Sequence, residues 1–229
     1  MTARFITFEG GEGAGKTTQI ARLAERLRAR GEAVVTTREP GGSPRAEALR
    51  AAILSGEGKA LGPFAEALLF AAARRDHLDE TIRPALARGA IVLCDRFADS
   101  TRAYQGAAGA VPVAAIEALE RWAIGDTRPD LTLVLDLPVE TALARAAARR
   151  GAGEEADRYE AEGRAFHERL REAFRGIAAA EPERCVLVDA SGAPDAVAER
   201  VAAIVEARLG GPVERPALRG PDRESLHAG

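Results

Sequence analysis

Apolar, β-branched runs recur at residues 4–8, 33–37, 90–95, 131–136 and 185–189, and the stretches between them carry apolar residues at helical spacing. Short apolar runs of this kind are buried strands, and their alternation with helices predicts a parallel sheet covered on both faces. After the first run, Ile20, Leu23, Ala24 and Leu27 share one helical face. Pro44 behind Ser43, Pro112, Pro138 and Pro194 stand where helices would begin, since a helix's first turn has no use for the N–H that proline lacks. Gly31, Gly89 and Gly151 stand where helices would end. The long helical stretch 63–88 contains Pro84, which predicts a kink or a restart. Past Leu209 the pattern lapses into proline, glycine and charge, so residues 1–209 are expected to form one domain and 210–229 a tail without fixed structure.

Chemistry enters at the first strand-to-helix junction. Gly10-Gly11-Glu12-Gly13-Ala14-Gly15-Lys16-Thr17, followed by Thr18, satisfies the phosphate-binding pattern G-x-x-x-x-G-K-[ST]. It lies between a strand-like and a helix-like segment, the context the pattern needs. Glycines let the backbone turn so that successive N–H groups face phosphate oxygens, and the helix adds its partial positive charge. Lys16 supplies a charge for the β- and γ-phosphates of ATP, and the Thr17 hydroxyl can reach Mg²⁺. The chain has two lysines, Lys16 and Lys59, and uses arginine elsewhere, so a lysine at this position by chance is improbable. The expected fold is therefore α/β: a three-layer P-loop NTPase with a five-stranded parallel sheet, helices on both faces and a short lid.

A second station follows the third strand, which ends in Asp95-Arg96. In such sheets ligands bind at the carboxyl ends of the strands, which makes Asp95 the candidate to share Mg²⁺ with Thr17. Arg38, Arg74 and Arg96 could converge there, and guanidinium groups facing a phosphate loop suggest a second anionic substrate. Gly151–Asp157 joins glycine to charge between two helical stretches, as a lid would, and is flanked by Arg149, Arg150 and Arg158. Net charge is −3, no apolar run approaches the roughly 18 residues of a membrane span, and Cys94 and Cys185 sit in apolar runs without metal-ligand spacing. Neither nucleic acid nor membrane is an expected partner, and a cytoplasmic location is expected.

Taken together, Phe8 through Thr18, Arg38-Glu39-Pro40-Gly41-Gly42, Phe70 through Arg74, Asp95-Arg96, Ser100-Thr101 and Tyr104-Gln105-Gly106 resemble bacterial thymidylate kinase over residues 4 to 209. The resemblance implies transfer of the ATP γ-phosphoryl group to dTMP by a homodimer using Mg²⁺. It assigns Gly10 through Thr18 to the ATP phosphates and Arg145 to adenine. To dTMP it assigns Glu12, Arg38, Pro40, Phe70, Arg74, Arg96, Ser100, Thr101, Tyr104 and Gln105. Within that set Phe70 stacks on thymine, Arg74 reads a base carbonyl or braces the nucleotide, Arg96 holds the acceptor phosphate, and Tyr104 lies beside the sugar. The loop lacks arginine at 12–14, which resembles the family type whose catalytic arginine is in the lid. Lys16, Arg96, Arg149, Arg150 and Arg158, with the lid about 150–158, form the expected catalytic set. The alternatives are a kinase for another nucleoside monophosphate and a regulatory P-loop ATPase.

Overall fold

The computed structural model describes residues 3–56, 62–149, 159 and 162–210, with the backbone alone at Arg149. In chain order the elements are β1 (Arg4–Glu9), α1 (Lys16–Ala29), β2 (Val34–Arg38), α2 (Pro44–Leu54), α3 (Pro63–His77) and α4 (Arg83–Ala87). They continue as β3 (Ile91–Asp95), α5 (Ala98–Thr101), α6 (Val113–Ile124), β4 (Leu131–Asp136), α7 (Val139–Arg149), α8 (Arg164–Ala180), β5 (Cys185–Asp189) and α9 (Pro194–Leu209). Two π-helical segments interrupt them, Leu78–Ile82 and Arg102–Ala108. Among the described residues the sheet has five strands in the order β2-β3-β1-β4-β5, every neighbouring pair parallel.

Side-chain alternation divides this sheet between two cores. Ile6 and Phe8 of β1, Leu93 of β3, and Leu131, Leu133 and Leu135 of β4 face α1 and α9. Phe5, Val92 and Cys94 face the opposite layer, built by α3, the segment Leu78–Ile82, α4 and α6. Successive side chains on a strand point to opposite faces, so runs apolar at every position end up buried on both. Phe5, Phe8, Phe97 and Phe174 are among the largest fully buried side chains, and each such burial stabilises the fold by roughly 1.5–3 kcal/mol.

The five expected strands appear within a residue or so of their sequence positions. Ser43 precedes Pro44 at the start of α2, Pro112 precedes α6, and Pro194 opens α9. The expected interruption near Pro84 takes the form of the π-helical turn Leu78–Ile82, after which α4 starts with Pro84 in its first turn. Gly31 and Gly89 adopt positive φ after their helices. Gly151, the lid at 150–158 and the tail past Gly210 lie outside the described residues. Cys94 and Cys185 are both free and buried. No helix among the described residues is long and apolar enough to cross a membrane.

Candidate active site

The junction of β1 and α1 folds as the glycine pattern requires. Gly10 and Gly13 have φ of 128° and 72°, and a Cβ on either would lie 2.5 Å from Leu135 O or 1.9 Å from Ala142 O. Backbone of β4 and α7 thus presses on the loop from behind, leaving no space for a side chain. Lys16 begins α1 and turns back over the loop, its Nζ donating to Gly10 O at 3.2 Å and Gly11 O at 3.0 Å. Burial, joined by the Arg96 charge, pulls its pKa below the usual lysine value. Thr17 Oγ1 donates to Asp95 Oδ2 at 2.8 Å, joining the helix start to the end of β3.

From the loop a cavity of about 450 Å³ extends over the carboxyl ends of β1, β2 and β3. Its wall brings together Glu12, Lys16, Thr17, Arg38, Pro40 and Phe70 with Asp95, Arg96, Ser100, Thr101, Tyr104 and Gln105. Arg96 is ion-paired with Glu12, and its Nη1 donates to Gly10 O at 3.0 Å and to Ser100 Oγ at 3.3 Å. Its guanidinium carbon lies 5.0 Å from the centre of the Tyr104 ring, and the Tyr104 hydroxyl donates to Glu12 Oε1 at 2.9 Å. Burial, the largest single effect, works to lower the Arg96 pKa, but Glu12 and the other acids around it hold it above the ordinary value. Burial likewise raises the Tyr104 phenol well above its usual pKa, so it acts as a neutral donor.

Arg74 and Arg145 sit off this wall. Arg74 is buried one layer behind, where its Nε donates to Glu39 Oε2 at 2.7 Å and its Nη2 to Phe97 O at 3.0 Å and Thr101 Oγ1 at 3.1 Å. Its guanidinium is therefore committed to protein partners that shape the cavity. Arg145 lies across the phosphate loop, donating to Ala190 O at 3.2 Å and Gly192 O at 3.1 Å. It borders a separate cleft of about 240 Å³ with Gly13, Ala14, Gly15, Thr18 and Pro194. Gly11 and Ala14 line a small recess behind the loop, beside Asp136 and His167. Arg38 Nη2 donates to Glu47 Oε1 at 3.0 Å at the cavity rim. The Arg149 side chain, Arg150 and Arg158 lie outside the described residues.

The structure adds residues to which the sequence assigns no role. Glu39, Arg50, Leu54 and Tyr159 also line the cavity. Tyr159 donates to Glu66 Oε1 at 3.0 Å and accepts from Gln105 Nε2 at 3.2 Å, and its ring meets Tyr104 edge-on at 5.0 Å. Glu9 is fully buried, and its carboxyl pKa is raised from 4.5 to about 7, chiefly by burial and then by Asp99. His77 is enclosed too, with Nδ1 3.1 Å from Glu39 Oε1 and Nε2 2.6 Å from Thr37 Oγ1. Neither residue carries an assigned role in the sequence: Glu9 falls inside the run Phe8 through Thr18 without one, and His77 ends a helix outside any motif. Their positions depend on which strands become neighbours.

Donor atoms around Asp95 suit a hard divalent cation. Thr17 Oγ1 and Asp95 Oδ2 are oxygens at the phosphate end of the cavity, and a magnesium ion bound by one or two protein oxygens keeps its remaining positions for water and phosphate.

Comparison with known proteins matches this geometry. A sequence model described as Thymidylate kinase matches residues 8–201. A thymidylate kinase of Bradyrhizobium diazoefficiens is 62% identical over 206 residues, covering 90% of each chain. One from Caulobacter vibrioides is 58% identical over 206 residues, 90% of this chain and 97% of the relative. The crystal structure of thymidylate kinase from Ehrlichia chaffeensis superimposes with a TM-score of 0.72 at 33% identity, covering 90% of this chain and all of that one. With a phosphate loop facing an arginine- and aromatic-lined cavity, and relatives matched along nearly their whole length, the chain belongs to the thymidylate kinase family.

Proposed function

We propose that residues 1–209 act as a single kinase domain that transfers the γ-phosphoryl group of ATP to dTMP, giving ADP and dTDP. The observation that carries this reading is one cavity with Lys16 and Thr17 at one end and Phe70, Tyr104 and Gln105 at the other, with Arg96 between them. Gly10 through Thr18 would bind the ATP phosphates, with Arg145 beside adenine in the cleft across the loop. Arg96, already on the cavity wall and held cationic, would take the acceptor phosphate, exchanging its pairing with Glu12 for the substrate. Phe70 would stack on thymine, while Thr101 and Gln105 face the base edge and Tyr104 the sugar. Arg38, Pro40 and Ser100 would complete the dTMP walls, and Arg74 would brace them from behind.

The acceptor is a phosphate anion at neutral pH, so the chain need not supply a strong base, and catalysis reduces to alignment, charge neutralisation and exclusion of water. Lys16 and Arg96 neutralise charge from opposite sides of the transferred group. Thr17 and Asp95 would hold Mg²⁺, which offsets charge on the phosphate oxygens when bound. Arg149, Arg150 and Arg158 would complete the set from a lid at about 150–158. A homodimer belongs to the same reading, supported by apolar side chains left open on adjacent helices: Phe64 and Leu68 of α3 at 50% and 44%, Val113 and Trp122 of α6 at 71% and 65% exposure. A cytoplasmic location belongs to it as well. ADP release measured with ATP and Mg²⁺, offering dTMP, dUMP, dCMP, AMP and GMP in parallel, tests the function. Turnover with dTMP far above the others is expected. Preference for another monophosphate, or ADP release indifferent to any acceptor, would replace the reading with one of its two alternatives.

A further inference from the structure

Glu9 ends β1, immediately before the phosphate loop, and is entirely buried without reaching the cavity wall. Its carboxyl group accepts three hydrogen bonds, all from the turn and short helix α5 that follow β3. Oε1 takes the Phe97 N–H at 2.8 Å and the Ser100 N–H at 3.3 Å, and Oε2 takes the Ser100 hydroxyl at 2.6 Å. The residue that this turn presents to the cavity is Arg96, whose φ of 68° places it in the left-handed region. A non-glycine residue stays there only where its surroundings over-determine the backbone. Here they do so from both sides. Arg96 N donates to Phe8 O at 2.9 Å, and the next amide, that of Phe97, donates to Glu9. Consecutive residues of β1 thus bracket the strained residue.

The link reaches the side chain as well. With its proton committed to Glu9, the Ser100 hydroxyl turns lone pairs outward, and Arg96 Nη1 donates to that oxygen at 3.3 Å while also donating to Gly10 O at 3.0 Å. Gly10 is covalently joined to Glu9. We propose that Glu9 is a positioning residue that holds Arg96 in its left-handed conformation and so sets the register between the arginine that receives the acceptor phosphate and the loop that holds the donor. This inference rests on the role given to Arg96 above. The ionised carboxylate suits the task because three donors converge on it and in that form it offers only acceptors, whereas a glutamine amide would turn one N–H₂ toward a donor at any pH. A shorter aspartate at the end of β1 would fall one methylene short of the turn.

The test uses the full-length chain with Glu9→Gln, Arg96→Lys and the double variant, each checked for folding by thermal melting. Glu9→Gln is expected to raise KM for dTMP and lower kcat, together by about tenfold or more in kcat/KM, with KM for ATP within about twofold of the parent. Because Glu9 acts through Arg96, adding Glu9→Gln to Arg96→Lys should cost little more. Losses that multiply in the double variant, or equal losses toward ATP and dTMP that follow a lowered melting temperature, overturn the proposal in favour of a merely structural glutamate. If Glu9→Gln fails to fold, Ser100→Ala removes the hydroxyl link alone, and an unchanged KM for dTMP then counts against the relay. A crystal structure of Glu9→Gln keeps the two claims separate: should the parent chain ignore dTMP, the functional reading falls. The φ of Arg96 would still report on Glu9, a return to negative values supporting the proposal and a retained positive φ refuting it.

Discussion

Replacing Arg74 by methionine should destabilise the fold far more than its place in a substrate motif would imply. The Arg74 and Glu39 side chains are 3% and 4% exposed and meet at 2.7 Å. Removing the cation keeps most of the aliphatic volume but strands a carboxylate beside His77, which is itself enclosed and 3.1 Å away. Breaking one partner out of a buried pair costs about 3–5 kcal/mol, because the remaining charge keeps its desolvation penalty without its compensation. Domains are stable by only about 5–15 kcal/mol, so Arg74→Met should lie near the edge of folding. With a urea dependence of about 2–3 kcal/mol per molar, its midpoint should fall by roughly 1–2 M. The informative comparison is with Glu39→Gln and the double variant, measured by urea denaturation followed by circular dichroism. Losing both charges together should cost less than the sum of the single losses by about 2 kcal/mol, within the usual range for directly paired residues. In kinetics, KM for dTMP should rise while KM for ATP holds, since the guanidinium donates to Phe97 O and to Thr101 Oγ1 on the cavity wall. A loss below about 1 kcal/mol for Arg74→Met, or strict additivity in the double variant, would refute the claim that the pair is a single buried unit.

Three further outcomes follow from the site. Lys16→Ala should leave a folded chain with almost no turnover, checked by melting temperature and the ADP-release assay, and retained turnover would remove the phosphate-loop assignment. Gly13→Ala should weaken ATP binding by an order of magnitude or more in a calorimetric titration, because the new Cβ would stand 1.9 Å from Ala142 O in a backbone already at positive φ. Glu9 gives a pH dependence of defined sign. Its folded pKa of about 7 lies above the ordinary glutamate value of 4.5, so the folded state binds the extra proton between these values. The stability this contributes is complete below about 4.5 and is lost as pH rises through 7. Urea midpoints from pH 5 to 8 should therefore decline more for the parent than for Glu9→Gln, and parallel curves would contradict the raised pKa.

Much of the fold is written in local pattern, and the site is written in two different ways. The strands are legible because a sheet buried on both faces demands apolar residues at every position, so runs such as Ile91 to Cys94 leave no other placement. The phosphate loop is legible because its residues are contiguous: the glycines, Lys16 and Thr17 act through backbone that the sequence itself lays side by side. What lies behind the cavity is different. Glu39 and Arg74 are separated by 35 positions and Glu9 and Ser100 by 91, and the second pair meets because β3 lies beside β1 in the sheet. A motif marks Arg74 as important without saying whether it touches substrate or holds the wall. Its three protein partners say that it holds the wall. Glu9 falls inside the run Phe8 through Thr18 without a role of its own, since one acid after an apolar strand also suits an exposed strand end. Burial turns that ordinary residue into the acceptor for three donors, and the left-handed Arg96 beside it shows what the arrangement is for. The motif residues on the cavity wall are thus announced by type and spacing, while Arg50, Leu54 and Tyr159 on the same wall, and Glu9 behind it, become visible once the fold has brought distant segments together.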